Sequence, residues 1–136
     1  MSYTIRRAAH TDKPEWVRMR HALWPDAPLD YLELDLDRLL ADPDTGVFLA
    51  SDSSGRLVAF IEVRLRAYAE GCETSPVGYI EAWYVDPHVR GQKLGRALIH
   101  TAEGWAREKG CAEMASDTWL DNGPGIEAHY KLGYWE

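Results

Sequence analysis

The sequence predicts a single domain of the α/β or α+β class, extending over residues 1–136. A chain of 136 residues has the usual size of one domain, and no linker or internal repeat divides it. Apolar residues make up 46% and charged residues 27%, a globular composition that excludes wholesale disorder. Segments in which apolar and polar residues alternate predict strands, and segments with apolar residues at helical spacing predict helices. These segments follow one another in the order β-α-α-β-β-β-α-β-α-β.

The first half of the chain is predicted to contain a strand, two helices and a hairpin. Tyr3–Ala8 alternates as a strand does, and Thr11 is the expected N-cap of a helix that Pro25 ends. Leucines at helical spacing predict a second, amphipathic helix from about Leu29 to Leu40. Asp52–Gly55 has the composition of a hairpin turn. The strands on either side of it are predicted at residues 47–51 and 57–65.

The second half is predicted to alternate strands with helices. A loop over residues 67–77 precedes an apolar strand over 79–85, which Asp86-Pro87 ends. The remaining predicted elements are a helix from residue 94 to about 110, a strand over 111–116, a short helix over 127–132, and a final strand that begins at Tyr134.

Composition and charge exclude several classes of protein. With 22 acidic and 15 basic residues the formal net charge is −7, which argues against nucleic-acid binding because phosphate contacts need a basic face. The longest apolar runs are too short to cross a bilayer, and the N-terminal region has no apolar stretch of the kind found in signal peptides. Cys72 and Cys111 have no metal-ligand spacing and the five histidines form no cluster. We therefore expect a reduced, cytoplasmic protein without a metal.

The charges are unevenly distributed along the chain. Residues 26–44 contain seven acidic residues against Arg38, whereas residues 88–109 contain five basic residues against two acidic ones. One interpretation is that a cationic ligand binds near the first segment and an anionic ligand near the second. The alternative is that both segments are solvated helix faces.

The segment Val85–Leu98 has the sequence VDPHVRGQKLGRAL and contains the most informative motif. A strand ends, a loop with glycine follows, and a helix begins at once, so the first backbone N–H groups of that helix are available to phosphate oxygens. Gly91 and Gly95 allow a bulky anion to approach the backbone. The cations that would add positive charge are Arg90, Lys93 and Arg96. The alternative is an ordinary strand-to-helix turn; neither a P-loop nor a dinucleotide-binding motif is present.

This segment resembles the acetyl-CoA pyrophosphate loop of the GCN5-related N-acetyltransferase (GNAT) superfamily, whose pattern is Arg/Gln-x-x-Gly-x-Gly/Ala. Arg90 matches the first position and Gly95 the last, while Lys93 replaces the first glycine and keeps its N–H. The order of elements agrees over nearly the whole chain. The resemblance implies a mixed central sheet with flanking helices, and acetyl-CoA bound where two parallel strands splay. Family chains continue for about one strand beyond Tyr134, so the final strand is expected to be missing or short.

Other segments resemble one branch of that superfamily, the aminoglycoside 6′-N-acetyltransferases. The run Glu113–Thr118 is the most specific of them. The others are Leu23–Pro25, Tyr68, Gly71–Cys72, Ser75–Val77, Glu81 ahead of Tyr84–Val85, Asn122, and His129 ahead of Leu132–Tyr134. The resemblance implies that acetyl is transferred from acetyl-CoA to the 6′-amine of an aminoglycoside by direct attack, which would confer antibiotic resistance.

Glu81 is the leading candidate for the residue that deprotonates the amine. It is the single charge in Tyr79–Val85, where a carboxylate could hold an ammonium and accept its proton. The alternative is a solvent-facing glutamate on an edge strand. The resemblance implies four further substrate contacts: Trp24, Tyr68, Asp117 and Glu136. Trp24 could instead pack in the core, and Asp117 could instead cap a turn.

The resemblance also implies which residues bind acetyl-CoA. The backbone of Trp83, Tyr84 and Val85 would pair with the pantetheine arm as an added strand does. The loop that would hold the pyrophosphate consists of Arg90, Gly91, Gln92, Lys93, Leu94 and Gly95, and Asn122 would bond to pantetheine. His129 stands where many members have a tyrosine that protonates the leaving thiolate. The alternatives are unassisted departure of the thiolate and a histidine on a helix face.

Three other functions remain open at this stage. The same chemistry could act on another small amine, a polyamine or a protein N-terminus. The chain could also be a non-catalytic acyl-CoA-binding module or a protein-binding domain. Related proteins often use the C-terminal strand in dimers, so a homodimer is expected; no nucleic-acid or membrane partner is expected.

Overall fold

The computed structural model describes residues 2–116 and 128–132. In chain order its elements are β1 (Thr4–Arg7), α1 (Lys13–Leu23), α2 (Leu29–Ala41), β2 (Thr45–Ser51), β3 (Leu57–Arg66), β4 (Val77–Val85), α3 (Leu94–Glu108), β5 (Glu113–Ser116) and β6 (Ala128–Lys131). Short 3-10 turns at His10–Asp12 and Pro87–Val89 precede α1 and follow β4. None of the helices in the described ranges is long and apolar enough to span a bilayer.

The described strands form one sheet in the order β1-β2-β3-β4-β5-β6. Neighbouring strands are antiparallel except β4 and β5, which run parallel from the pair Gly78–Met114 to the pair Ile80–Ser116. The chain crosses from β4 to β5 through α3, as a parallel pair requires. A mixed sheet with flanking helices was predicted, and the structure confirms it.

Apolar residues cover both faces of the sheet. On one face Leu98, Ala102 and Ala106 of α3 pack against strand residues such as Ile61 and Ile80. On the other face the apolar sides of α1 and α2 pack on a second cluster. Its strand members are Val47, Leu49, Leu57, Phe60, Ala82 and Tyr84. Burial on both faces explains why most residues of β3 and β4 are apolar instead of alternating with polar ones.

A buried ion pair joins α1 to β3 beneath α2. The Arg20 guanidinium donates through Nε to Glu62 Oε2 at 2.8 Å and through Nη1 to the Leu32 carbonyl at 2.8 Å. The Trp16 indole N–H donates to the same Glu62 oxygen at 3.0 Å. Burial raises the pKa of Glu62, while Arg20 and Trp16 oppose that rise by bonding to the ionised carboxylate.

The two helices and the hairpin predicted in the first half are confirmed, but the start of α1 differs. Thr11 is not an N-cap, because it lies inside the 3-10 turn and α1 begins at Lys13. The Asp12 carboxylate accepts the Ala9 N–H at 2.8 Å and pairs with Arg6 on β1, which winds residues 10–12 into a turn ahead of the helix. In the hairpin turn Asp52 Oδ1 accepts the Ser54 N–H at 2.9 Å.

The helix predicted over residues 127–132 is wrong, because Ala128–Lys131 forms strand β6. These residues pair antiparallel with β5, from Ser116 opposite Ala128 to Glu113 opposite Lys131. A segment of six residues contains too few apolar positions to distinguish the two periods, so pairing with a neighbouring strand decides its conformation. The strand predicted to begin at Tyr134 lies outside the described residues.

Candidate functional site

A cavity of about 1000 Å³ lies between the C-terminal end of α1, the end of β4 and the first half of α3. Its walls combine aromatic and aliphatic side chains with several cations. They are Ala22, Leu23, Trp24, Trp83, Tyr84, Val85, Val89, Arg90, Gly91, Lys93, Leu94, Gly95, Arg96, Ile99, His100 and Glu103. The size and the mostly apolar walls suit a small-molecule ligand. The structure therefore brings most of the residues that were predicted to bind acetyl-CoA to one cavity.

The loop between β4 and α3 has two residues in the left-handed region of backbone conformation. Gly91 has φ of +82°, and Lys93, which directly precedes the first residue of α3, has φ of +65°. Glycine adopts this region freely, whereas lysine does so at a cost of roughly 1–2 kcal/mol. The left-handed conformation at Lys93 explains why the related pattern has glycine there. It turns the chain into α3 so that the N–H groups of the first helical turn lie at the cavity.

Gly95 lines the cavity, and the structure adds a packing role that was not expected for it. A Cβ at this position would lie 2.8 Å from the Trp83 ring, so the space that glycine leaves is filled by an indole of β4. Gly95 therefore allows the start of α3 to pack closely on the sheet. The indole nitrogen of Trp83 is buried and has no hydrogen-bond partner among the described residues.

Arg90 lies over the end of β4. Its Nε donates to the Val85 carbonyl at 2.8 Å, and its guanidinium carbon is 5.7 Å from the centre of the Tyr84 ring. These contacts hold a positive charge at the cavity wall beside the start of α3. An anion in the cavity would therefore meet both this guanidinium and the helix N-terminus.

Tyr84 is a neutral group in the cavity wall. Burial and a hydrogen bond to Asp86 raise its pKa to about 12. Asp86 is itself held by Arg18 of α1, whose Nη2 donates to Asp86 Oδ2 at 3.2 Å. The Tyr84 hydroxyl therefore stays protonated at neutral pH and is unsuited to act as a base there.

Within residues 2–116 and 128–132, the parallel pairing of β4 with β5 runs from Gly78 to Ile80, and β4 continues to Val85 along β3. The stretch Trp83–Val85 lies beyond the described part of this pairing and at the cavity. This is the location where the sequence predicted that an extended pantetheine arm would bind.

Glu81 is the extra residue of a β-bulge in β4. Its neighbour Ala82 pairs with Glu62 of β3 and Ile80 pairs with Val63, so no β3 residue is opposite Glu81. Since β4 lies between β3 and β5, the edge-strand alternative for Glu81 is wrong. The expected isolation of this carboxylate in an apolar strand is also wrong. Its side chain is 29% exposed and forms an ion pair with Arg66.

The structure separates the aromatic residues predicted to wall a sugar pocket. Trp24 lines the cavity at the end of α1, and the Arg20 guanidinium lies 5.1 Å from its ring centre. Tyr68 is 71% exposed on the loop after β3 and is not part of the cavity wall. Gln92 is also absent from the wall, because its side-chain oxygen accepts a hydrogen bond from Tyr3.

One predicted site residue has a different backbone conformation from the one expected, and three others lie outside the described residues. His129 lies in β6 opposite Ala115 rather than on a helix, so its assignment as a helix-face histidine is wrong. Asp117, Asn122 and Glu136 lie outside the described residues.

Sequence reasoning missed two groups of residues. The first is the face of α3 that continues the cavity beyond the loop, where His100 and Glu103 follow the predicted Arg96 at helical spacing. That spacing was visible in the sequence and could have identified them. The second is Arg66, which contacts Glu81 across 15 residues of chain. No local pattern indicates this contact.

Comparison with known proteins gives consistent matches. Residues 16–134 match the acetyltransferase (GNAT) family. The chain is 45% identical over 134 residues to aminoglycoside N(6′)-acetyltransferase type 1 of Stenotrophomonas maltophilia, covering 98% of this chain and 86% of that protein. The corresponding protein of Klebsiella aerogenes is 37% identical over 135 residues, covering 97% and 89%.

Among solved structures, AAC(6′)-Iy in complex with the bisubstrate analogue CoA-S-monomethyl-acetylneamine is similar to this chain. The TM-score is 0.83 at 32% identity, and the match covers 90% of this chain and 83% of the other.

Proposed function

Because the chain belongs to the acetyltransferase (GNAT) family, we propose that it is an aminoglycoside 6′-N-acetyltransferase that uses acetyl-CoA. The observation that carries the proposal is the cavity at the end of β4. There a cationic loop and a helix N-terminus lie at the end of the strand that carries Glu81, while Glu81 itself lies outside the cavity wall. The names of the relatives support the choice of an aminoglycoside as the substrate.

The residues around the cavity fit acetyl-CoA. The N–H groups at the start of α3, together with Arg90 and Lys93, would bind the pyrophosphate. The backbone of Trp83, Tyr84 and Val85 would bind the pantetheine arm as an added strand. Acetyl-CoA supplies the acetyl group as an activated thioester. The protein contributes by holding the amine close to that group.

Glu81 would bind the ammonium of the aminoglycoside and accept its proton, directly or through water. The neutral amine then forms the new carbon–nitrogen bond, the carbon–sulfur bond breaks, and the thiolate leaves with the bonding electrons. The nitrogen loses its second proton to water as the amide forms. Asp117 and the acidic segment over residues 26–44 would attract the polycation. His129 is the proposed proton donor to the thiolate.

A steady-state assay with acetyl-CoA and kanamycin or tobramycin tests the proposal. We expect a singly acetylated product by mass spectrometry and acetylation of the 6′-amine by NMR. Acetylation of spermidine with no reaction of any aminoglycoside would contradict the choice of substrate. Binding of acetyl-CoA without turnover of any amine would instead support a non-catalytic module.

A variant of Glu81 tests the base. We expect Glu81→Gln to lower kcat at neutral pH by about a hundredfold, because general base catalysis contributes 10²–10⁴. Glu108→Gln, at the far end of α3, is the matched control and should keep wild-type kcat. An unchanged kcat in Glu81→Gln would remove Glu81 from the base role.

We also propose that the protein acts in the cytoplasm as a homodimer. Cys72 and Cys111 are free thiols, as expected in a reducing compartment. Leu29, Tyr31 and Leu34 of α2 are large apolar side chains exposed at the surface of the described chain, and a partner subunit would cover such a surface. Light scattering at several protein concentrations measures the mass, and a monomer throughout would contradict the dimer.

A further inference from the structure

Arg66 binds the carboxylate of Glu81 through two hydrogen bonds, and the closest nitrogen–oxygen contact of the pair joins Nη2 and Oε2 at 2.8 Å. Its Nε donates to Glu81 Oε2 at 2.9 Å and its Nη2 donates to Glu81 Oε1 at 3.0 Å. The guanidinium also lies over the Tyr79 ring, with its central carbon 3.6 Å from the ring centre. Arg66 is the last residue of β3. Tyr79 and Glu81 lie two positions apart on one side of β4, Tyr79 before the bulge and Glu81 at the bulge.

This arrangement restricts both side chains. A bidentate pair defines the plane of the carboxylate as well as its distance, and stacking on Tyr79 keeps the guanidinium from rotating away. The bulge needs such a restraint, because Glu81 has no cross-strand neighbour directly opposite on β3 to hold it. The pair is partly exposed, at 39% for Arg66 and 29% for Glu81, so a ligand can still reach the carboxylate.

The Glu81 carboxylate can accept further hydrogen bonds while it is paired with Arg66. Two oxygens have about four lone-pair sites, and Arg66 uses one on each oxygen. A substrate ammonium can therefore bind Glu81 without displacing Arg66, and it would meet a carboxylate of fixed orientation.

We propose that Arg66 is a positioning residue, which holds the Glu81 carboxylate in the orientation that receives the substrate amine. This inference rests on the proposed function, since it assigns Arg66 a role only through Glu81. Arg66 itself does not transfer a proton.

A double-mutant cycle tests the inference. We expect Arg66→Gln to lower kcat by about tenfold, because a misplacement of about 1 Å can cost about a hundredfold and the loosened carboxylate should move by less than that on average. The KM for acetyl-CoA should not change, since Arg66 lies outside the cavity wall. In the Glu81→Gln background the same substitution should change kcat less than twofold, because the group that Arg66 positions is already lost.

Arg64→Gln is the matched control. Arg64 lies two residues earlier on β3 and therefore on the same face, and its replacement removes the same charge. It should keep wild-type kcat in both backgrounds. An equal loss in Arg64→Gln and Arg66→Gln, or an equal effect of Arg66→Gln with and without Glu81, would overturn the inference.

Two further measurements separate positioning from folding and from the choice of substrate. Arg66→Lys keeps the charge but not the bidentate geometry. Its free energy of unfolding should therefore match that of the wild type while its kcat remains reduced; full recovery of kcat would overturn the inference. Crystal structures of the wild type and Arg66→Gln should show a different Glu81 rotamer in the variant. An unchanged rotamer would overturn the inference even if no aminoglycoside is acetylated, an outcome that would separately contradict the proposed function.

Discussion

Replacing Lys93 by glycine separates the effect of its backbone conformation from the effect of its charge. With φ of +65° and ψ of +10°, Lys93 is in the left-handed region immediately before α3. That conformation costs an L-residue roughly 1–2 kcal/mol. Glycine removes this cost but loses about 0.5–1 kcal/mol of backbone entropy on folding. The net expectation is a gain of about 0.7 kcal/mol in the free energy of unfolding, or about 3 °C in Tm.

The charge has the opposite effect on ligand binding. Lys93 lines the cavity beside the N-terminus of α3, where an exposed cation contributes about 0.7 kcal/mol to binding of a pyrophosphate, close to a threefold change in affinity. Lys93→Gly should therefore raise the KM for acetyl-CoA about threefold at low ionic strength. The difference should shrink in 0.5 M salt because the charge is screened.

Lys93→Ala is the matched control, since it removes the charge and keeps the strained conformation. Calorimetric Tm values and initial rates at varied acetyl-CoA should show the same increase in KM for both variants, with the higher Tm in Lys93→Gly. If Lys93→Ala were as stable as Lys93→Gly, the reasoning from backbone conformation would be refuted. If neither variant changed KM, the placement of the pyrophosphate would be refuted.

Two further predictions concern stability. Gly95→Ala places a Cβ 2.8 Å from the Trp83 ring, so it should lower the free energy of unfolding by about 2 kcal/mol in chemical denaturation; a loss within error would contradict the close packing. Asp12→Asn should cost about 1 kcal/mol at pH 7, because Arg6 lowers the pKa of Asp12 by hydrogen bonding in the folded state. That contribution is present above the unfolded pKa of about 4 and is lost as the pH falls through the lowered folded value, so wild type and variant should converge in acid; a constant difference would contradict the ion pair.

Features that depend only on residues close together in the chain could be predicted from the sequence. Leucines three and four positions apart predict α2, and the side chain of Asp52 explains the hairpin turn, since its bonds reach no further than Arg56. The loop from Arg90 to Gly95 could be recognised for the same reason. Its glycine, its cations and the helix it begins are contiguous in the chain.

Predictions that depended on distant partners were less successful. Glu81 was correctly placed on a strand, but neither the bulge nor Arg66 was foreseen, because both are set by the pairing of β3 with β4. The segment Ala128–Lys131 became a strand because β5 is available to pair with it. Gly95 was assigned to ligand approach, whereas its packing depends on Trp83 in another element.

The amino-acid sequence by itself therefore determined the helices, the turns and a cationic loop suited to an anion, because hydrogen bonds and side-chain periods within a few residues decide these features. The tertiary structure alone decided which strands pair with β5 and which guanidinium holds Glu81. Those outcomes depend on contacts between residues far apart in the chain. Their energies depend on burial and geometry that exist only once the sheet has formed.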